Sequence, residues 1–363
     1  MNIIFVENFD FYKKFTSMKT IGGIETNTID IIHDLRKRGH KIWVLNKEKK
    51  PSWIEKESVD IVAASTFDPI TFFQVSKYKS KYKDTAAVVI HGHTTVEDLR
   101  GNFVPDKPIF NEIFKYWLKL LYGRAHLLIT PSEFSKECLI NIQTSMTYPI
   151  HVVSNGIRIE QFEKQDIYRA NFRKFLSQQY DIPADAVVII NVGLSWKKKG
   201  VKTFGDVAKE FPEYFFIWVG PINNNPEIDE AIKLDNVIFT GFYDDIREAF
   251  YGADLFINTS WVENQGIPLI EAAICKLPIV ARDLSAFDWI HHDYSCYKTE
   301  DVGDYVKGIN KILSDSSYRK KIIENAYNDA IELHDFNKIG EKVEKLYNKA
   351  IKIKNIWDRK RNK

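Results

Sequence analysis

The sequence predicts two doubly wound α/β domains, and three observations carry that prediction. Its 363 residues amount to about two domains at roughly 100–200 residues each. Short apolar runs alternate with stretches of helical spacing in two successive series, the pattern of parallel sheets covered by helices. A polar, charged stretch from Arg158 to about Pro183 separates the two series.

The first series opens with an apolar strand at residues 2–7. Beyond Ile21-Gly22-Gly23-Ile24-Glu25 the spacing turns helical at Ile29, Ile32 and Leu35, and Arg36 to His40 closes that helix with basic residues and a glycine. Strands follow at 41–45, 60–64 and 86–91, then a long helix at 107–123, a strand at 125–130, a helix at 132–141 and a strand at 149–153. The second series has strands at 186–192, 214–219, 237–240, 254–258 and 278–281, with helices at 201–211, 244–251 and 267–275. From Asp301 onward the chain is almost all helical. The expected domains are residues 1–165 and 166–335, followed by a helix over 336–363 that crosses back to the first domain and ends in a basic tail.

Composition narrows the function. The 44% hydrophobic and 28% charged residues suit a soluble globular protein, and a net charge of +2 argues against a general nucleic-acid binder. Cys138, Cys275 and Cys296 lie far apart with no CxxC pair, so neither a zinc site nor a disulfide framework is expected, which fits a reducing cytoplasm. There is no Asp-x-Asp pair, and the neighbours His291, His292 and Asp293 point in different directions, so no metal is expected. The opening MNIIFVENFDF does not read as a signal peptide, and no run of ~20 apolar residues exists. Any membrane contact is therefore expected to be peripheral.

The sharpest motif is Glu263-Asn-Gln-Gly-Ile-Pro-Leu-Ile-Glu271. A strand over 254–258 runs into a loop holding Glu263, Asn264, Gln265 and Gly266, and a helix starts near Ile267. Gly266 allows close backbone approach, and the N–H groups of a first helical turn suit an anion such as a diphosphate. Eight residues of helix span ~12 Å, comparable to a ribose, a diphosphate and a sugar in line. One carboxylate would then bind a donor sugar and the other the ribose hydroxyls. A loop glutamate and a solvated helix glutamate would give the same spacing, so spacing alone leaves both readings open.

Glu263 and Glu271 resemble the E-x7-E signature of the family 4 retaining glycosyltransferases, and ADLFINTSWVENQGIPLIEAAICKLPIVARD is similar to that family's donor-site block throughout. Gly22-Gly23 resembles its N-terminal glycine loop, which lies near the donor phosphates and the acceptor. Pro131-Ser132 and Ser154-Asn155-Gly156 resemble its interdomain landmarks, and Val192-Gly193 with Lys199-Gly200 its phosphate-binding block. The resemblance spans essentially the whole chain. It implies the GT-B fold: two doubly wound Rossmann-like domains facing a central cleft, residues 1–165 binding the acceptor and 166–335 the nucleotide sugar. It implies Glu263 on the donor sugar with the backbone of Asn264, Gln265, Gly266 and Ile267, and Glu271 on the ribose. Gly193, Lys199 and then Lys198 would lie at the diphosphate. His93, within His91-Gly92-His93-Thr94-Thr95, would sit beside the transferred sugar, so that His93, Glu263 and Lys199 form the catalytic set. A satisfied loop histidine would account for His93 equally. Where the family often has an Arg directly after the glycine, this chain has Leu194, so that role passes to Lys197 or Lys198 or is absent. Glu97 and Asp98 would place the acceptor, and the backbone around Gly241-Phe242-Tyr243 would suit the base. No metal or other cofactor is expected, because a helix dipole and lysines can stand in for a cation at a diphosphate.

A narrower resemblance lies in His91-x-His93-Thr-Thr-x-Glu97-Asp98-Leu-Arg100, in residues 216–220 and in Ala281-Arg282-Asp283 ahead of Trp289. These are similar to bacterial α-glucosyl-diacylglycerol synthases of glycolipid and lipoteichoic acid anchor synthesis. They imply UDP-glucose as donor, diacylglycerol or monoglycosyl-diacylglycerol as acceptor, and peripheral association with the anionic inner face of the cell membrane. Basic amphipathic segments suit such a surface. One carries Phe110, Ile113, Phe114, Trp117, Leu118, Leu120 and Leu121 with Lys115 and Lys119; another runs from Ser76 to Lys83; the tail, 351–363, mixes Trp357 with six basic residues. Core packing is the expectation for the apolar side of the first, and a solvated face would equally explain the lysine runs. The alternatives are a same-family enzyme acting on a capsule, lipopolysaccharide or N-glycan precursor, and a catalytically inactive GT-B partner protein.

Overall fold

The computed structural model describes residues 1–10, 13, 22–100, 105, 107–143, 148–223 and 226–361. Of the residues singled out above, Ile21 and the last two of the tail lie outside these. The described chain divides into two compact units, one of residues 1–100, 105–156 and 336–361, the other of residues 157–335.

The first unit holds a six-stranded parallel sheet: β1 (Asn2–Val6), β2 (Lys41–Leu45), β3 (Ile61–Ala64), β4 (Ala87–His91), β5 (Leu127–Thr130) and β6 (Ile150–Val152), in the order β2-β1-β3-β4-β5-β6. The strands are near-continuous Ile, Val, Leu and Ala because both sheet faces are covered. Ile4, Val6, Val62 and Val88 pack on one face with Leu118 and Leu121. Ile3, Phe5, Ile61 and Val89 pack on the other with Ile31 and Leu35. The C-terminal helix, Phe336–Arg361, adds Phe336, Ile339, Val343, Tyr347 and Ala350 to that second face, a spacing that keeps one side of a 3.6-residue helix inward.

The second unit is built the same way from β7 (Val188–Val192), β8 (Phe215–Val219), β9 (Val237–Gly241), β10 (Leu255–Asn258), β11 (Ile279–Arg282) and β12 (Tyr297–Thr299), in the order β12-β11-β10-β7-β8-β9. This is the Rossmann order, with the direction of winding reversing between β7 and β10. In the first sheet the reversal falls between β1 and β3.

The structure corrects two expectations. The chain passes between the units at Gly156 and Ile157 rather than at 165, because Ile157 donates its N–H to the His334 carbonyl at 2.7 Å and so already belongs to the second unit. The polar stretch taken as a separator contains an α-helix, Asp166–Tyr180, whose Tyr168, Phe172 and Leu176 are buried. Arg173, buried on the same side, donates to the Gly252 carbonyl at 2.7 Å and pairs with Asp254 at 2.6 Å. Within the C-terminal helix, Lys354 is buried and donates to the Asp84 carbonyl at 2.9 Å, and the Trp357 ring packs 5.2 Å from that of His126.

The helix Pro69–Lys81, unassigned from sequence, starts on a buried polar knot at the carboxyl ends of β1 and β3. Asp68 caps it, accepting from the Thr71 N–H at 2.9 Å and the Thr71 hydroxyl at 2.6 Å, and Asn8 reaches the same hydroxyl at 2.9 Å. Asp68→Ala is expected to lower stability by about 1–2 kcal/mol, the usual loss for a helix cap. Urea unfolding of both proteins checks it.

Candidate active site

The donor end of the second unit forms where the loops after β7 and β10 meet, at the point of winding reversal. In doubly wound sheets that crevice is where ligands bind. After β7 the chain turns at Gly193, passes through a short 3-10 turn, Lys197–Lys199, and enters the helix Val201–Lys209 at Gly200. Gly200 has a positive φ of 75°, and a Cβ there would lie 2.0 Å from the Thr259 carbonyl oxygen. No other residue fits this contact between the two loops.

Hydrogen bonds then lock the loops together. Thr259 donates its hydroxyl to the Lys199 carbonyl at 2.9 Å and accepts from the Asn191 amide at 3.1 Å. The Trp261 N–H reaches the Lys198 carbonyl at 2.7 Å. On this frame the Lys199 ammonium meets the buried Glu263 carboxylate at 2.6 Å, and the Ser260 hydroxyl donates to the same oxygen at 2.7 Å. Burial opposes the charge on Glu263, but Lys199, Lys198 and the Ser260 hydroxyl outweigh it and hold the carboxyl below its ordinary range. Glu263 is thus a fixed acceptor with an ammonium beside it.

Gly266 precedes the helix Ile267–Ile274 with φ 74°, pressed so close to Phe287 that a Cβ would lie 2.5 Å from its ring. Pro268 has no N–H and Leu269 donates to the Gly266 carbonyl at 3.0 Å, which leaves Gly266 and Ile267 to offer N–H groups at the helix start. Glu271 lies half-buried one turn on, and burial pushes its carboxyl up to about 7. Unlike Glu263 it has no ion pair among the described residues.

The other predicted residues fall as follows. Lys198 carries its ammonium 5.2 Å from the Trp196 ring. Gly193 has open space where a side chain would be, and Gly220 packs so tightly on it that a Cβ would lie 2.3 Å from its carbonyl oxygen. Tyr243 donates to Glu248 at 2.6 Å and packs on Phe175, while Phe242 is exposed. In the first unit, Gly22 caps the helix Gly23–Lys37 with φ 79° and open space at its Cβ position.

His93 follows β4 in the first unit, buried with His91, their rings stacked 6.1 Å apart. Gly92 donates to the Ile129 carbonyl at 2.7 Å, and Tyr122 donates to the Thr94 carbonyl at 2.8 Å. Burial lowers His93 to about 4 and, with repulsion from His93, lowers His91 to about 3. His93 is therefore a neutral imidazole at working pH, a hydrogen-bonding group and not an imidazolium. Glu97 and Asp98 lie in the short helix Val96–Leu99 that Thr95 caps. Glu97 sits beside the buried Cys138 thiol, which burial and then Glu97 push up to about 12.

Sequence reasoning gave no role to Thr259 and Ser260, which look like ordinary strand-end residues, or to Arg282, which it marked only as part of the narrower resemblance. The buried Arg282 guanidinium lies 3.7 Å from the centre of the exposed Trp261 ring and donates to the Glu300 carbonyl at 2.9 Å. It braces the outer side of the Glu263 loop.

A diphosphate-ready loop pair on a Rossmann sheet, with a second doubly wound unit carrying a buried histidine loop, defines the GT-B class of nucleotide-sugar transferases. Residues 172–329 match the family described as glycosyl transferases group 1, and residues 46–161 match glycosyltransferase family 4. The chain belongs to this family of retaining glycosyltransferases. It is 33% identical to the processive diacylglycerol alpha-glucosyltransferase of Acholeplasma laidlawii over 77% of this chain and 83% of that protein. It is 24% identical to the alpha-monoglucosyldiacylglycerol synthase of the same organism over 74% of this chain and 78% of that protein. The fold matches Anabaena HepE in complex with UDP and glucose, with a TM-score of 0.75 at 18% identity over 96% of this chain and 100% of that one. It also matches sucrose-phosphate synthase from Thermosynechococcus elongatus, with a TM-score of 0.72 at 13% identity over 96% and 98%.

Two outcomes follow. Glu263→Gln is expected to lower kcat by about 10²–10³, the usual loss of one preorganised polar group, which steady-state assays with saturating donor check. The raised carboxyl of Glu271 contributes stability that is complete below its unfolded value of 4.5 and is lost as pH rises through about 7. Glu271→Gln is therefore expected to gain in melting temperature over the wild type at pH 8 but not at pH 4, as thermal unfolding at the two values will show.

Proposed function

We propose that this enzyme transfers glucose from UDP-glucose to diacylglycerol or monoglycosyl-diacylglycerol at a membrane surface, retaining the α configuration. The relatives named above act on such lipids, and the donor geometry suits a nucleotide diphosphate. Glu263 would hold hydroxyls of the donor sugar and Lys199, with Lys198 behind it, would neutralise the diphosphate. The N–H groups of Gly266 and Ile267 would complete the phosphate contacts. Glu271 would take the ribose hydroxyls, and His93 would hydrogen-bond the sugar as a neutral group. The acceptor hydroxyl attacks the anomeric carbon on the face from which the diphosphate departs. The bond to the β-phosphate oxygen breaks, and the hydroxyl proton passes to a phosphate oxygen of the leaving nucleotide. This balances without a covalent enzyme intermediate and without a metal.

The observation that carries the lipid acceptor is an uncovered apolar stripe in the first unit. The helix Pro108–Tyr122 buries Leu118, Leu121 and Tyr122, but Ile109, Ile113 and Tyr116 are 66%, 60% and 61% exposed, with Leu120 continuing the line. Core packing, the expectation for this apolar side, therefore holds for only part of it. The adjoining helix Pro69–Lys81 touches it through Phe72 and Trp117, 5.5 Å apart, and exposes Ile70 and Phe73. Lys77, Lys81, Lys115 and Lys119 lie along the same two helices. Apolar anchors flanked by lysines suit an anionic bilayer, and no helix among the described residues is long and apolar enough to cross a membrane.

Incubation with UDP-glucose and diacylglycerol in anionic vesicles is expected to yield an α-glucosyl lipid. Ile113→Asp with Tyr116→Asp is expected to abolish vesicle co-sedimentation and lipid transfer while leaving UDP affinity unchanged. Full transfer by that double variant would remove the membrane role of the stripe. Donor turnover with a soluble glycan but no lipid would move the acceptor to another class.

A further inference from the structure

A pocket of about 330 Å³ opens beside the apolar stripe in the first unit, walled by the helix Val96–Leu99, the helix Pro108–Tyr122 and the helix Glu133–Ile140. Its polar lining comes from Glu97, Arg100, Asn111, Glu112, Lys115 and Asn141. On the helix Pro108–Tyr122 the lining residues Pro108, Asn111, Glu112 and Lys115 recur at i, i+3, i+4 and i+7, one helical face. The stripe residues Ile109, Ile113, Tyr116 and Leu120 fall on another face, about a third of a turn away at ~100° per residue. One helix thus presents a polar pocket on one side and an uncovered apolar surface within its own ~10 Å diameter.

The chemistry of the lining selects the ligand. Two carboxylates and two cations make it neutral overall, so an anionic headgroup meets Glu97 and Glu112 as well as Lys115 and Arg100. The carboxylates accept from hydroxyls, the cations donate to them, and the two amides do both. The Asn111 side-chain oxygen is buried with no hydrogen-bond partner among the described residues, a loss that a hydroxyl donor would repair. The volume is at the low end for small-molecule sites, enough for one sugar ring and not for acyl chains.

We propose that this pocket binds the neutral hexosyl headgroup of a glycosylated membrane lipid whose acyl chains stay in the bilayer against the stripe. The proposal rests on the membrane reading above and deepens it: a glycolipid is held by its sugar at a site of the first unit distinct from the donor loops. Such a site would keep a glycosylated acceptor, or the product of a first transfer, at the enzyme.

Flotation with phosphatidylcholine vesicles, with and without monoglucosyl-diacylglycerol, tests it alongside transfer to diacylglycerol by the same proteins. The wild type is expected to bind glucolipid vesicles severalfold more than plain ones. Asn111→Trp, which fills the pocket, and Glu97→Gln, which keeps its shape, are expected to lose that increment while still binding plain vesicles and melting as the wild type does. An increment unchanged in both variants, or absent from the wild type, overturns the proposal. So does an equal increment, with phosphatidylglycerol in place of the glucolipid, that Asn111→Trp and Glu97→Gln both remove, which would make Arg100 and Lys115 an anion site. Competition by methyl α-glucoside as strong as by the glucolipid would overturn the lipid assignment in favour of a free sugar. Failure of the wild type to glucosylate any lipid, with the glucolipid increment intact, would sink the proposed function and leave the pocket standing.

Discussion

The donor end of the enzyme hangs on the ion pair between Lys199 and Glu263. Two charges in a largely desolvated place are costly apart, and here each sits on a different loop. The pair is held at 2.6 Å because the backbone beneath it cannot move. Gly200 is jammed against the Thr259 carbonyl, and hydrogen bonds from Thr259 and Trp261 tie the same two loops together. Both partners are therefore charged and placed before any ligand arrives. In the proposed donor pose a diphosphate would meet the Lys199 ammonium already in position, and the sugar a Glu263 carboxylate that its partners keep ionised in spite of burial. Preorganisation of this kind means that no solvent or side chain has to rearrange while the glycosidic bond breaks.

The contrast between the two glutamates follows from the same geometry. Glu263 has Lys199 and Ser260, so its carboxyl stays low in spite of burial. Glu271, eight residues on, has burial without a cation, and its carboxyl rises to about 7. In the proposed donor pose Glu271 would meet the ribose diol, accepting from its hydroxyls when ionised and donating to them when protonated. In that pose Glu263 would meet the charged, reacting end of the donor and Glu271 a neutral end, their separation set by the loop and the first turn of the helix Ile267–Ile274.

Much of this was legible in the sequence, for identifiable reasons. The strands announce themselves as apolar runs because a parallel sheet is buried on both faces. Glu263, Gly266 and Glu271 stand out because loop, helix start and first turns are contiguous, so their spacing is also their geometry. Ser260 and Thr259 were hidden, and Arg282 was marked without a role, because their roles arise only when separate strands bring loops together. The helix Asp166–Tyr180 was hidden by its polarity: eight of its fifteen residues are polar or charged, and the buried Arg173 is one of them. The exposed stripe on the helix Pro108–Tyr122 was hidden for the opposite reason. A helix that packs on a core on one side and leaves an apolar stripe uncovered on the next has the same apolar content as one that is wholly buried, and periodicity cannot divide the two.

The distribution of exposed apolar residues completes the case for a division of labour. In the second unit they come from separate parts of the sequence, among them Ile167, Ile222, Phe242, Tyr294 and Leu333. Such scattered exposure is ordinary. In the first unit, seven of them fall on just two touching helices: Ile70, Phe73, Ile109, Phe110, Ile113, Tyr116 and Leu120. A grouped apolar surface left in water promotes association and marks an interaction site. Its lysines argue against a second apolar protein face as the cover and for an anionic layer with an apolar interior. The unit that carries this surface also carries the buried His93 loop, whereas the phosphate-directed groups belong to the other unit. A water-soluble donor and a lipid acceptor call for opposite surfaces, and in the proposed reading each belongs to its own doubly wound sheet.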